Sequence, residues 1–160
     1  MDISQKGLAG EFYALAQLTA RGFNASLTLG NTKGVDILVI NKKNKGYKVE
    51  VKTTTIKPTK SKIFKEWHPN GFFYWIMSKK HETLLDDNLV YCFVHIDDIN
   101  KLPRFFLVPS DLVAKYVKDQ HVFYQNYPRD KDVGDGSMRH FRIDVDDPNG
   151  YENNWSLLEK

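Results

Sequence analysis

Residues 34–55 read GVDILVINKKNKGYKVEVKTTT, and this stretch decides the fold. Two runs of strand composition, 34–41 and 47–55, flank the turn residues Asn44-Lys45-Gly46, which is a hairpin signal. Strand side chains alternate faces with period 2, so Glu50 and Lys52 share one face while Val49 and Val51 point to the other. An acid and a lysine set among valines are costly to bury unless they pair or hold a metal. Asp36, in the preceding run, is a second acid that a neighbouring strand brings alongside. The stretch therefore predicts both a β-meander and a site.

On the N-terminal side, residues 5–21 contain no proline and repeat Leu8, Phe12, Leu15 and Leu18 at helical spacing, with Gly22 as the stop. Glu11 falls on or beside that apolar stripe. A first strand, 24–29 (NASLTL), joins the meander through Asn31-Thr32-Lys33-Gly34. On the C-terminal side, 56–88 reads as loop with some helix or strand, with Trp75 of its aromatic run assigned to the core. Strands follow at 89–96 (LVYCFVHI) and 104–108 (RFFLV), and Pro109-Ser110-Asp111 opens a helix through about Lys118 with Ser110 as N-cap. The tail holds one strand candidate, MRHFRIDV, and a closing NNWSLLEK whose Trp155 and Leu158 pack back on the body. No repeat or long linker divides the chain. The expectation is one α/β domain over 1–160, a core of about 5–118 with an extension at 119–160, built on a central mixed sheet flanked by helices.

At 160 residues, with 41% hydrophobic and 13% aromatic content, the chain is long and apolar enough for a real core. Its single cysteine, Cys92, excludes an intramolecular disulfide and reads as a buried small hydrophobe. The start, MDISQKGLAGEFYALAQL, lacks the layout of a signal peptide, and no apolar run approaches the ~18 residues of a membrane span. A cytoplasmic protein with no membrane partner is expected. Five histidines show no metal spacing, and no phosphate-binding glycine loop is present. Net charge is only +3, yet nine lysines and a single acid, Glu50, lie between Lys42 and Lys65. That imbalance predicts a basic surface beside the site, with a phosphate backbone as its partner. The candidate contacts are Lys33, Lys42, Lys43, Lys45, Lys57, Lys60 and Lys62.

The acids carry the chemistry. Hard divalent cations such as Mg²⁺ take carboxylate and carbonyl oxygens plus several waters. Asp36 and Glu50 on neighbouring strands can converge on one ion, with the carbonyl of Val51 at the same edge. A lysine two residues beyond a ligating acid can hold an attacking water or stabilise charge growing on a phosphate. Glu11 adds a fourth group if the first helix crosses the sheet here.

Gly10-Glu11 on a first helix, Asp36 in a second strand and Glu50-Val51-Lys52 in the next resemble the PD-(D/E)XK nuclease superfamily. The resemblance spans 5–118 and implies a restriction-endonuclease-like α-β-β-β-α-β core. It implies that Asp36 and Glu50 bind metal, with Val51 contributing its carbonyl, and that Lys52 positions the water. Glu11 becomes the helix acid that supports a metal or orients a ligand, and Thr53 lines the site. Val35 stands where the motif often has proline. The implied activity is that of a Mg²⁺-dependent endonuclease, with Mn²⁺ able to substitute, hydrolysing phosphodiester bonds of nucleic acid, DNA being the expected polymer. Two other readings stay open: a non-catalytic nucleic-acid-binding module on the same fold, and a metal-dependent hydrolase of a small phosphate ester. A homodimer would let two clefts address both strands.

Overall fold

The computed structural model describes residues 1–28, 34–130 and 133–160. Helix α1 (Ile3–Ala20) starts at a capping box: the Gln5 N–H donates to Asp2 Oδ1 (2.8 Å) and the Asp2 N–H donates to Gln5 Oε1 (3.1 Å). It ends at Gly22, whose φ of 82° is left-handed and suits glycine. The meander follows as β1 (Asn24–Leu27), β2 (Ile37–Ile40) and β3 (Gly46–Thr54). Then come β4 (Phe72–Ser78), a 3-10 turn (Lys79–Glu82), β5 (Leu89–His95) and β6 (Arg104–Pro109). Helix α2 (Ser110–Asn126), β7 (Met138–Asp144) and a closing 3-10 turn (Trp155–Leu158) complete the order.

Five strands form one mixed sheet in the order β1-β2-β3-β5-β6, in which only β3 and β5 run parallel. Period-2 alternation sends each central strand to two cores. Val49 and Val51 of β3, Val90, Cys92 and Val94 of β5, and Phe105 and Leu107 of β6 meet Ala14 and Leu18 of α1, with Trp155 and Leu158 from the tail. Tyr91, Phe93, Phe106 and Val108 face the other way, onto Val113 and Val117 of α2 and onto a separate β4–β7 ribbon. The ribbon contributes Phe73, Trp75, Met77, Phe141 and Ile143. A second layer thus covers β5 and β6, but Leu38 and Ile40 of β2 stay exposed on that same side. At that step, where cover gives way to open sheet, sits Glu50.

The α/β class and the central mixed sheet flanked by helices are as expected from the sequence. Trp75 is buried, with its indole N–H donating to the Val94 carbonyl (3.0 Å), and Cys92 is buried, its thiol pushed up to about 12 by burial. Other details differ. The parallel crossover from β3 to β5 carries β4 and a 3-10 turn, while the long helix comes only after β6. Helix α2 runs to Asn126 rather than Lys118, and the tail is no appendage, because β7 pairs with β4 along its full length. Helix α1 does not bury its large apolar stripe: Leu8 and Phe12 are 50% and 53% exposed. Its buried line is Gly10, Ala14 and Leu18, because at Gly10 the helix lies so close to β3 that a larger residue would not fit. A Cβ on Gly10 would stand 1.9 Å from Thr53 Oγ1 and 3.0 Å from Thr53 Cβ. Gly10→Ala should therefore destabilise the protein by about 1–3 kcal/mol through overpacking, although alanine favours a helix interior by ~1 kcal/mol. Thermal melts check this, and Thr53→Ala should partly restore the midpoint; a Gly10→Ala protein as stable as wild type would contradict the close approach. Among the described residues no helix is long and apolar enough to cross a membrane.

Candidate active site

The hairpin register puts Ile37 opposite Val49, and Asp36, one residue before β2, bonds to the two residues that flank Glu50. Glu50 and Lys52 share the face away from α1's packing and pair directly, while the Asp36 carboxylate sits at the β3 edge beside them, within electrostatic reach of both. β2 starts at Ile37, and Asp36 just before it caps the exposed β3 edge: the Asp36 N–H donates to the Val49 carbonyl (2.9 Å) and Asp36 Oδ2 accepts the Val51 N–H (2.6 Å). In a strand, one residue's N–H and C=O point to the same side of an antiparallel pair. The Val51 carbonyl thus also faces the edge that Asp36 occupies.

Glu50 is 2% exposed at the centre of the sheet. One of its oxygens is fully engaged: Oε1 lies 2.7 Å from Lys52 Nζ and 3.3 Å from His81 Nε2. Burial pushes this carboxyl up, but His81 and Lys52 outweigh burial and hold it at about 2, so Glu50 is ionised at neutral pH. The other oxygen, Oε2, is buried and has no hydrogen-bond partner among the described residues. Gly34, with φ of 77°, passes close to it: a Cβ there would come within 3.5 Å of Oε2. Asp36 is raised above the usual carboxylate range, first by burial and then by the charge of Glu50, with the Val51 N–H and Lys52 opposing. Glu11 is raised by burial and by Asp36, with Lys52 opposing, which sets it within electrostatic reach of Asp36 and Lys52. It follows Gly10, so the close helix approach is what delivers it.

Glu50 and Lys52 are therefore in direct contact, with Asp36 and Glu11 within electrostatic reach of Lys52. Among the described residues, no three His, Cys, Asp or Glu side chains form a ready metal cage. Mg²⁺ commonly uses only one or two carboxylates and keeps its waters. The orphaned, ionised Oε2, Asp36 beside it and the Val51 carbonyl form a donor set that suits such an ion.

The lysines divide. Lys57, Lys60 and Lys62 are exposed on the segment that leaves the Lys52 end of β3. Lys42, Lys43 and Lys45 belong to the β2–β3 turn at the opposite end, roughly 15–25 Å from Glu50 at the ~3.3 Å rise of a strand. They do not flank the acids, correcting the expectation of a single basic rim. Lys33 lies outside the described residues. A groove of about 350 Å³ opens beside Lys52, lined by Ile3, Lys6, Tyr74 and Ile76.

Sequence reasoning missed His81 and Tyr91. His81 gives no spacing signal: it reaches Glu50 from the turn after β4, 31 residues away in sequence. Tyr91 was legible in principle, since the parallel register pairs it with Glu50. Its hydroxyl is buried beside the Glu50 carboxylate without making a well-formed hydrogen bond, and is pushed well up by burial and by Glu50.

No protein-family model matches the chain, and no curated protein matches it in sequence. Among solved structures, the chain is similar to a bacterial homing endonuclease, I-Ssp6803I, at 16% identity and a TM-score of 0.57. The match covers 99% of this chain and 95% of that one, so the likeness is one of whole fold.

Proposed function

We propose that this protein is a Mg²⁺-dependent nuclease of PD-(D/E)XK type that hydrolyses phosphodiester bonds in nucleic acid, with DNA as the expected polymer. One observation carries the reading: a buried, ionised Glu50 with one oxygen engaged by Lys52 and the other unpartnered, with Asp36 within electrostatic reach. Keeping two carboxylates together in a partly dry site is unfavourable without a cation to offset them. Asp36, Glu50 and the Val51 carbonyl would hold the ion, which supplies Lewis-acid activation of water and of the phosphoryl oxygen. Lys52 orients the attacking water and meets charge developing on the phosphate. Glu11 supports Asp36 from the helix. The whole-length likeness to a homing endonuclease supports the fold on which this chemistry would be built.

Digestion of single-stranded, duplex and branched DNA, and of RNA, with Mg²⁺ or Mn²⁺ against EDTA tests the reading. Metal-dependent cleavage is expected. Binding without cleavage under every metal would favour a binding module on the same fold, and hydrolysis of small phosphate esters alone would favour the third reading.

The two lysine groups give a separate expectation. Removing one lysine that neutralises a phosphate should lower the salt slope of binding by about 1. Lys57→Ala, Lys60→Ala and Lys62→Ala should weaken binding at the cleavage site and flatten its salt dependence. The same changes at Lys42, Lys43 and Lys45 should affect cleavage of a short substrate far less. Fluorescence anisotropy across a salt series measures this, and equal effects from the two groups would refute the division.

A further inference from the structure

We propose that His81 is a positioning residue that decides which oxygen of Glu50 is offered to a divalent cation, a role that rests on the metal-site reading above. The His81 side chain is 3% exposed and held at both ends. Its Nδ1 accepts from the Ser78 N–H (3.0 Å) and lies 3.1 Å from Ser78 Oγ and 2.9 Å from the Ser78 carbonyl. Its Nε2 faces Glu50 Oε1 at 3.3 Å. An ionised carboxylate can only accept, so Nε2 carries a proton and donates, however Nδ1 is used toward Ser78.

Two donors, His81 Nε2 and Lys52 Nζ, thus converge on the same oxygen. A carboxylate oxygen has two lone-pair sites, and both of Oε1 are taken. Oε2 is left with none filled. The terminal torsion of glutamate is broad and roughly two-fold, so nothing within the side chain itself prefers this arrangement. His81 imposes it from outside. Without His81, Lys52 alone holds the group, and the carboxylate is free to turn and share the ammonium between both oxygens, so that neither oxygen is left wholly free and fixed for a cation.

The histidine is itself fixed to the opposite layer of the fold. Its neighbour Glu82 pairs with Arg139 of β7, and Arg139 Nη2 also donates to Asp135 (2.8 Å). The turn is therefore anchored to the β4–β7 ribbon, which aligns Glu50 on the central sheet. Partners that orient a metal ligand from one shell out commonly change metal affinity by about 10–100-fold when removed.

The test is Mn²⁺ binding to the whole protein, read by electron paramagnetic resonance or calorimetry, for wild type, His81→Met and His81→Gln. Methionine fills the buried site without a donor, whereas the glutamine amide can reach to donate as Nε2 does. His81→Met should weaken Mn²⁺ affinity by about 10–100-fold and lower kcat with little change in KM for nucleic acid, and His81→Gln should recover most of both. A His81→Met protein that binds Mn²⁺ as wild type does overturns the role of His81 but leaves the nuclease reading standing. A wild-type protein that binds no Mn²⁺ at this site removes both. Should His81→Met fail to fold, the wild-type imidazole resonances decide: Mg²⁺ should shift the Nε2 signal of His81, and an unmoved signal under saturating Mg²⁺ overturns the role.

Discussion

Lys52→Ala should lower metal-dependent cleavage by about 10²-fold or more, the scale expected when a positioned catalytic group is lost, while nucleic-acid affinity stays close to wild type. The lysine supplies no metal ligand, and Asp36, the Glu50 Oε2 oxygen and the exposed Lys57, Lys60 and Lys62 remain in place without it. Glu50 also keeps a donor, because His81 Nε2 still reaches Oε1. Single-turnover cleavage beside an equilibrium binding isotherm separates the two quantities. Loss of binding in parallel with cleavage would mean that Lys52 serves the substrate backbone rather than the reacting water. Undiminished cleavage would mean that the chemistry lies elsewhere.

Asp36→Asn should abolish divalent-ion binding and cleavage, yet leave the fold as stable as wild type or more stable at neutral pH. The amide oxygen can still accept the Val51 N–H, so the cap on the β3 edge survives. The sign of the stability change follows from the raised carboxyl of Asp36, caused first by burial and then by Glu50. A carboxyl that titrates higher in the folded than in the unfolded state disfavours folding once it is charged. The folded protein recovers that loss as pH falls through the raised value, and the neutral asparagine never incurs it. The variant's advantage in thermal midpoint should therefore be present near pH 7 and shrink on acidification. Added Mg²⁺ should raise the wild-type midpoint, because a ligand bound only to the folded state stabilises it, and should not raise that of Asp36→Asn. A strongly destabilised variant at neutral pH would mean that Asp36 is chiefly a structural cap.

Such a trade, in which a site residue lowers stability, also explains which parts of the molecule were legible in the sequence. The hairpin was readable because its period-2 pattern, its turn residues and its misplaced charges all agree, and the pairing of β2 with β3 then brings Asp36 to the β3 edge next to Glu50. The alternation in LVYCFVHI was equally direct, with each side of β5 feeding a different core. Helix α1 was readable as a helix but not as to its buried face. Large apolar residues usually mark the core, yet here Gly10 sits against Thr53 and the large Leu8 and Phe12 point outward. Nothing in the helix itself announces that approach, which is a property of the pair.

The crossover 56–88 was opaque for a related reason. β4 pairs with β7, far along the chain, so its strand character depends on a partner that local pattern cannot supply. His81 belongs to the same problem: its role exists only once the turn after β4 is laid beside β3. The lysines show the opposite error. Nearness in sequence suggested one basic rim, but a strand carries the chain away from the site, and β3 separates Lys42, Lys43 and Lys45 from the end where Lys57, Lys60 and Lys62 follow Lys52.

The central claim is that Asp36 and Glu50 share a divalent cation. A crystal soaked in Mn²⁺ and measured at the manganese absorption edge tests it most directly, since the anomalous signal locates the ion without reference to activity. One strong peak is expected between the Asp36 carboxylate and Glu50 Oε2, within reach of the Val51 carbonyl and absent from Asp36→Asn crystals. Crystals saturated with Mn²⁺ that hold no ion between these two carboxylates would contradict it.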